Sequence, residues 1–258
     1  MIVRVIALLA LVAMSACVGP DSSARYAHHF DGAPWSSGFG AQFDDPWQYG
    51  AEAALLVATP IAFALDDELA DDALDNQYVS KGNTSSGDAI ATGLGIASVA
   101  YGGWKWADGD HGERFEVAGE ALVATGLVTQ TLKTLTQRER PQSTSSDAFP
   151  SGHTSLAFCG ATFLARSIEQ DTDSKLGYLL WLPASYVAVD RVEAGRHWAS
   201  DVVVGALLGT VLTNWIWNAH YGEPGAAAIF DDGAIHARWQ PQVSWSGEAM
   251  ALGLDCSF

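Results

Sequence analysis

The run PSGHTSLAFCGATFLARSI, Pro150–Ile168, decides how the chain folds. After Pro-Ser-Gly-His it continues in small and apolar residues over a length that suits a helix better than a strand. A helix that begins near Thr154, directly after Pro150-Ser151-Gly152, presents amides with no intrahelical partner and the positive end of its dipole. Such a start is a ready anion site. Gly152 lets a ligand approach the backbone closely, and the Ser151 hydroxyl can donate to it.

Five further apolar segments lie around this one, near 47–65, 88–104, 116–132, 177–189 and 202–218, rich in Ala, Leu, Gly and Val. With 154–168 they predict a mainly α fold of six helices over 46–221. Most are shorter than the roughly 20 apolar residues of a membrane span, and Glu52, Glu116, Glu120 and Arg166 interrupt them. A helical bundle in water is therefore favoured over an integral inner-membrane bundle. The acidic run Asp66 to Asp75 reads as a solvated helix end, and Asn83–Gly87 as a loop leading to a helix cap at Asp88. From Gly222 the character changes. Asp231-Asp232-Gly233 is turn chemistry, and the alternations in Ile235–Trp239 and Gln242–Trp245 predict a small C-terminal β hairpin appendage within 222–258. Trp181, Trp198, Trp215 and Trp217 suit either core packing or the border of an acyl or headgroup site.

With 258 residues, 48% of them hydrophobic, the chain can bury one substantial core or two small ones. Its 13 basic residues against 30 acidic ones give a formal charge of −17, which excludes a nucleic-acid partner. Three cysteines make no disulfide framework, and none sits at zinc spacing. Cys159, in an apolar helical stretch, reads as a small buried residue; a pairing with Cys256 stays open.

The N-terminus has one basic residue, Arg4, an apolar stretch from Val5 to Ala13, and Met14-Ser15-Ala16 before Cys17. This is a secretory signal over 1–16. Its end resembles a bacterial lipobox, which implies lipidation of Cys17 and a tether over 17–45. Val18 stands where an inner-membrane retention signal usually has Asp. By analogy the protein is exported to the periplasm and anchored to the outer membrane.

One set of cations and histidines falls at segment ends. Lys133 precedes Arg140-Pro141 with six residues between, Arg191 precedes His197 by six, and Asp201 follows His197 by four. On a continuous helix, Lys133 and Arg140 would share a face about 10 Å apart along the axis, with Pro141 turning the chain away. One helical turn between His197 and Asp201 would set the carboxylate beside the imidazole. An Asp holding Nδ1–H leaves Nε2 as a lone pair, as a nucleophilic histidine requires. His153 is left for proton transfer.

Lys-x6-Arg-Pro, Pro-Ser-Gly-His and Arg-x5-His-x3-Asp together resemble the three motifs of the type 2 phosphatidic acid phosphatase superfamily. That superfamily includes bacterial acid phosphatases, lipid phosphate phosphatases and vanadium haloperoxidases. The resemblance implies a six-helix core in which Lys133, Arg140 and Arg191, with Ser151 and the Gly152 amide, bind the phosphoryl group. His197 would form a phosphohistidine, oriented by Asp201, and His153 would protonate the leaving oxygen and then activate water. No metal or other cofactor is implied. The expected substrate is a phosphomonoester or pyrophosphate, of a lipid or a small molecule. A haloperoxidase is the second enzymatic reading; Pro150 follows Arg140 by only ten positions, which by analogy favours a phosphatase. A non-catalytic lipoprotein that binds a phosphorylated lipid is the reading from another class. Its support is Asp190, which stands where the superfamily usually has Ser before the third-motif Arg. That carboxylate would either weaken phosphate binding or face away in a surface pair.

Overall fold

The structure, a computed structural model, describes residues 39, 46–76, 85–110, 112–221, 238–245 and 250–257. The signal, Cys17, the arm apart from Phe39, and the Asp231-Asp232-Gly233 turn lie outside the described residues. The described chain is mainly helical: α1 Pro46–Ala64, α2 Asp66–Asn76, α3 Ser85–Ala107, α4 Glu113–Thr136, α5 Gly152–Thr172, a 3-10 turn Lys175–Leu180, α6 Trp181–Glu193 and α7 Ala199–Tyr221. In the tail, β1 Arg238–Trp245 pairs antiparallel with β2 Met250–Ser257, Arg238 opposite Ser257 and Trp245 opposite Met250.

Two boundaries differ from the sequence expectation. The acidic run is a helix of its own, with Asp66, Asp67 and Glu68 in its first turn, where carboxylates complement the helix dipole. It is not wholly solvated either, since Asp66 is buried. Helix α3 starts at Ser85, which puts Asp88 inside its first turn and frees that carboxylate to reach other helices.

Helix α5 is the central element, packed against α7, α3, α4, α6 and the 3-10 turn. Its fully buried Phe163 meets Trp217 of α7 edge-on at 5.8 Å between ring centroids, and Phe158 meets Trp181 at 5.7 Å. Trp181 and Trp217 thus serve the core. Cys159 is a free thiol buried among these side chains. Helix α7 is long and apolar enough to cross a membrane by length and composition, and most of that stretch is buried in the bundle. Other large apolar side chains remain on the outside, among them Leu56, Val57 and Ile61 of α1 and Leu182 of α6.

Glycines allow the closest crossings. A Cβ on Gly209 would sit 2.4 Å from Ser155 O, and one on Gly160 would sit 2.5 Å from Leu94 O. Both contacts are with backbone, which cannot swing aside. Gly209→Ala should therefore force α5 and α7 apart and lower the unfolding free energy by about 1–3 kcal/mol. Gly119→Ala, in a helix and with open space around its Cβ, should raise it by about 0.5–1 kcal/mol. Denaturant unfolding of the two variants checks the opposite signs.

Candidate active site

Helix α4 ends where Gln137 turns to the left-handed region (φ 45°), its N–H closing on Lys133 O. Arg140 therefore lies beyond the helix and shares no helical face with Lys133, contrary to the spacing argument. The chain instead folds back on itself. Arg140 N donates to Ser145 O at 3.1 Å and Ala148 N to Arg138 O at 3.0 Å. This turn brings Arg140 and Lys133 to the same carboxyl-bearing residue. Arg140 Nη2 bonds Asp147 Oδ2 at 2.8 Å, and Lys133 Nζ donates to the Asp147 carbonyl. Burial pushes the Lys133 ammonium below its usual pKa; a hydrogen bond from Ser145 and the nearby Arg140 hold the Asp147 carboxyl below its own.

At the start of α5, Ser151 is the N-cap residue and is fully buried. Its amide donates to Asp201 O at 2.9 Å, and its hydroxyl accepts from Thr154 Oγ1 at 3.0 Å. Five expected residues, Lys133, Arg140, Gly152, His153 and His197, come together with Asp147 and Leu156 around a cavity of about 240 Å³. Ser151, Asp201 and Arg191 are not among its lining residues.

His197 sits in the turn between α6 and α7. Gly195, at φ 61°, reverses the chain there, and the amides of Arg196 and His197 return to Arg191 O at 3.1 and 3.3 Å. Because α7 begins only at Ala199, His197 and Asp201 are not separated by a regular helical turn. His197 Nδ1 lies 2.7 Å from Ala148 O and 3.7 Å from Asp201 Oδ2, beyond hydrogen-bond reach. A carbonyl oxygen only accepts, so Nδ1 carries the proton and Nε2 the lone pair. The expected tautomer is present, held by Ala148 rather than by Asp201. Asp201 is occupied elsewhere. Its Oδ2 accepts from Trp198 N at 2.8 Å, in the manner of an acidic residue in a first turn reaching back to the cap, and its Oδ1 accepts from Arg138 at 2.8 Å.

Arg138 is a residue that motif spacing did not reveal. It bonds Asp201, Ser200 Oγ at 2.6 Å and Asp66 Oδ2 at 2.7 Å, and its guanidinium lies over the Phe63 and Trp198 rings. Asp66 also accepts from Ser200 N at 2.8 Å, which docks α2 on the start of α7. The departure from the superfamily pattern also resolves. Asp190 makes no surface pair; it is fully buried and takes Nε (3.1 Å) and Nη2 of Arg191. Arg191 Nη1 reaches Asp88 Oδ1 at 2.6 Å, and His153 Nε2 stands 3.1 Å from that same oxygen.

Burial is the largest influence on both site histidines and lowers both pKa values; for His153 the neighbouring Arg191 adds to it. Depressed values mean that the fold favours the neutral rings. That stability is complete above about pH 6.5, the ordinary histidine value, and is lost as pH falls through the folded values. Nitrogen NMR of the protein at neutral pH should show His197 neutral with the proton on Nδ1; a proton on Nε2 would contradict the geometry. Arg138→Gln would leave the buried carboxylates of Asp66 and Asp201 without their cation. Its expected cost is about 3 kcal/mol, read from chemical denaturation.

Residues 117–224 match the PAP2 superfamily. The Lipid A 1-phosphatase of Porphyromonas gingivalis is 37% identical over 92 residues, which cover 34% of this chain and 20% of that protein. Lipid phosphate phosphatase 1 of Arabidopsis thaliana is 27% identical over 142 residues, 40% of this chain and 43% of the relative. The probable diacylglycerol pyrophosphate phosphatase 1 of Schizosaccharomyces pombe is 30% identical over 100 residues, 35% and 36% of the two chains. The matches thus span less than half the length of these relatives. The crystal structure of Aquifex aeolicus LpxE aligns with a TM-score of 0.41 at 24% identity, covering 58% of this chain and 92% of that one. The segment that matches the PAP2 superfamily, residues 117–224, contains all three motifs from Lys133 to Asp201.

Proposed function

We propose that the protein is a metal-independent phosphatase that hydrolyses a lipid phosphomonoester or pyrophosphate through a phosphohistidine. The observation that carries this reading is His197: buried, neutral by environment, its Nδ1 proton held by Ala148 O, in the wall of a cavity that Lys133 and Arg140 also line. A phosphoryl group in that cavity meets two cations and the start of α5 at Gly152, and Arg191 joins them once its hold on Asp88 loosens. These groups stabilise charge on the equatorial oxygens. Nε2 of His197 attacks phosphorus in line as the P–O bond to the leaving group breaks, and His153 gives that oxygen its proton. His153 then takes a proton from water, which attacks phosphorus and releases phosphate and His197. Asp201, close to the ring but not bonded to it, offsets the positive charge on the phosphorylated imidazole. Ser151 fixes the start of α5 from behind.

The lipid substrate is supported by the names of the relatives and by the apolar side chains left on the outer faces of α1 and α6. In this reading residues 46–221 are the phosphatase domain and 222–258 a β-rich tail. Residues 1–16 are a cleaved signal and 17–45 an arm lipidated at Cys17, holding the enzyme at a membrane surface in the periplasm, on the outer membrane.

The test is phosphate release in excess EDTA from phosphatidic acid, an isoprenyl pyrophosphate and an aryl phosphate. Release should persist in EDTA, and His197→Ala should lower kcat by at least about a thousandfold. A His197→Ala protein that keeps its turnover would overturn the mechanism. Lipid binding with no turnover in either protein would favour the non-catalytic reading, for which Asp190 on Arg191 is the best structural argument.

A further inference from the structure

Helix α3 lies outside the segment that matches the superfamily, yet it delivers a carboxylate to the site. It comes very close: a Cβ on Gly87 would sit 2.2 Å from Asp190 Oδ2 and 3.0 Å from Arg191 Nη2, so the first turn of α3 rests directly on the buried Arg191 pair. The next residue, Asp88, puts a single oxygen 2.6 Å from Arg191 Nη1 and 3.1 Å from His153 Nε2. Three helices, α3, α5 and α6, meet at that oxygen.

We propose that Asp88 is a positioning residue for His153, its single oxygen holding Nε2 in register with Arg191 for proton transfer to the leaving oxygen. The proposal rests on the phosphatase reading above. Asp190 already occupies Nε and Nη2 of Arg191. Asp88 therefore holds that guanidinium at Nη1 alone, and the same oxygen sets it against the histidine. The groups facing His153 are Asp88 from α3, Arg191 from α6, Lys133 from α4, and His197 from the turn before α7. Asp88 is the one that favours the protonated ring; the others oppose it. In the reaction the Nε2 proton passes to the leaving oxygen as the P–O bond breaks. The lone pair left on Nε2 then accepts a proton from the hydrolytic water. Asp88, about half exposed, can yield the ring to substrate at that point.

The experiment is Asp88→Asn in the full chain, assayed against pH on two esters: phosphatidic acid, with a poor alkoxide leaving group, and para-nitrophenyl phosphate, whose phenolate leaves without a proton. If Asp88 acts through the acid, kcat on phosphatidic acid should fall at least about tenfold while kcat on the aryl ester falls less than about threefold. The alkaline limb of kcat, which reports loss of the acid's proton, should move to lower pH. Equal losses on both esters, with an unmoved limb, would make Asp88 a scaffold residue and overturn the proposal, as would loss of both activities together. Asp88→Glu, which keeps the charge, should restore the alkyl ester preferentially. Failure of the underlying phosphatase reading would look different: the unaltered protein would release no phosphate from either ester.

Discussion

Two helix starts pressed against each other govern this site. The amide of Ser151, capping α5, donates to Asp201 O in the first turn of α7, and Gly205 and Gly209 let α7 pass with Ser151 O and Ser155 O almost against its axis. A side chain at either glycine would separate the pair. His153 follows the first start and His197 precedes the second, so one close crossing sets the distance between the two histidines. The same contact explains the burial of Ser151 and Asp201. They are the material of the crossing, and the cavity opens in front of them.

Charge is organised by burial. In a chain of net charge −17 each arginine at the site has a carboxylate partner: Arg140 has Asp147, Arg138 has Asp66 and Asp201, and Arg191 has Asp190 and Asp88, while Lys133 donates to the Asp147 carbonyl. A buried cation without such a partner is costly, whereas a half-solvated pair contributes little and opens easily. Asp190 and Asp201 have no exposed side-chain surface, while Asp88 and Asp147 are nearly half exposed. The first two fix the scaffold. The second two stand where an entering anion competes for the same donors.

Apolar run length and composition made the main helices legible, and the order of basic and histidine residues made the cavity lining legible. Both are local or motif-level properties. Asp66, Asp88 and Arg138 escaped because their roles come from contacts across the fold: Asp66 reads as one acid in an acidic run until α2 docks it on Ser200. Lys133/Arg140 and His197/Asp201 both depart from the spacing expected of them for a common reason, the position of a helix end. Helix α4 stops before Arg140 and α7 starts after His197, so neither pair keeps helical geometry. In each case a loop contact replaced the helical one, with Asp147 joining Lys133 to Arg140 and Ala148 holding His197.

The substitution of Ala148 O for Asp201 at the His197 ring has a consequence for the proposed chemistry. A carbonyl fixes the tautomer as firmly as a carboxylate does, but it carries no net charge and gives the resting imidazole little added basicity. Burial then keeps the ring neutral and its Nε2 lone pair available. The carboxylate is held at 3.7 Å by Arg138 and the Trp198 amide, and its attraction counts most when the ring becomes cationic. In a buried setting that attraction is stronger than in water. Stabilisation present in the phosphorylated state and nearly absent in the ground state is the kind that lowers a barrier. In the proposed chemistry, orienting the nucleophile and compensating its charge thus fall to two groups, Ala148 and Asp201, where a single hydrogen-bonded Asp would combine them.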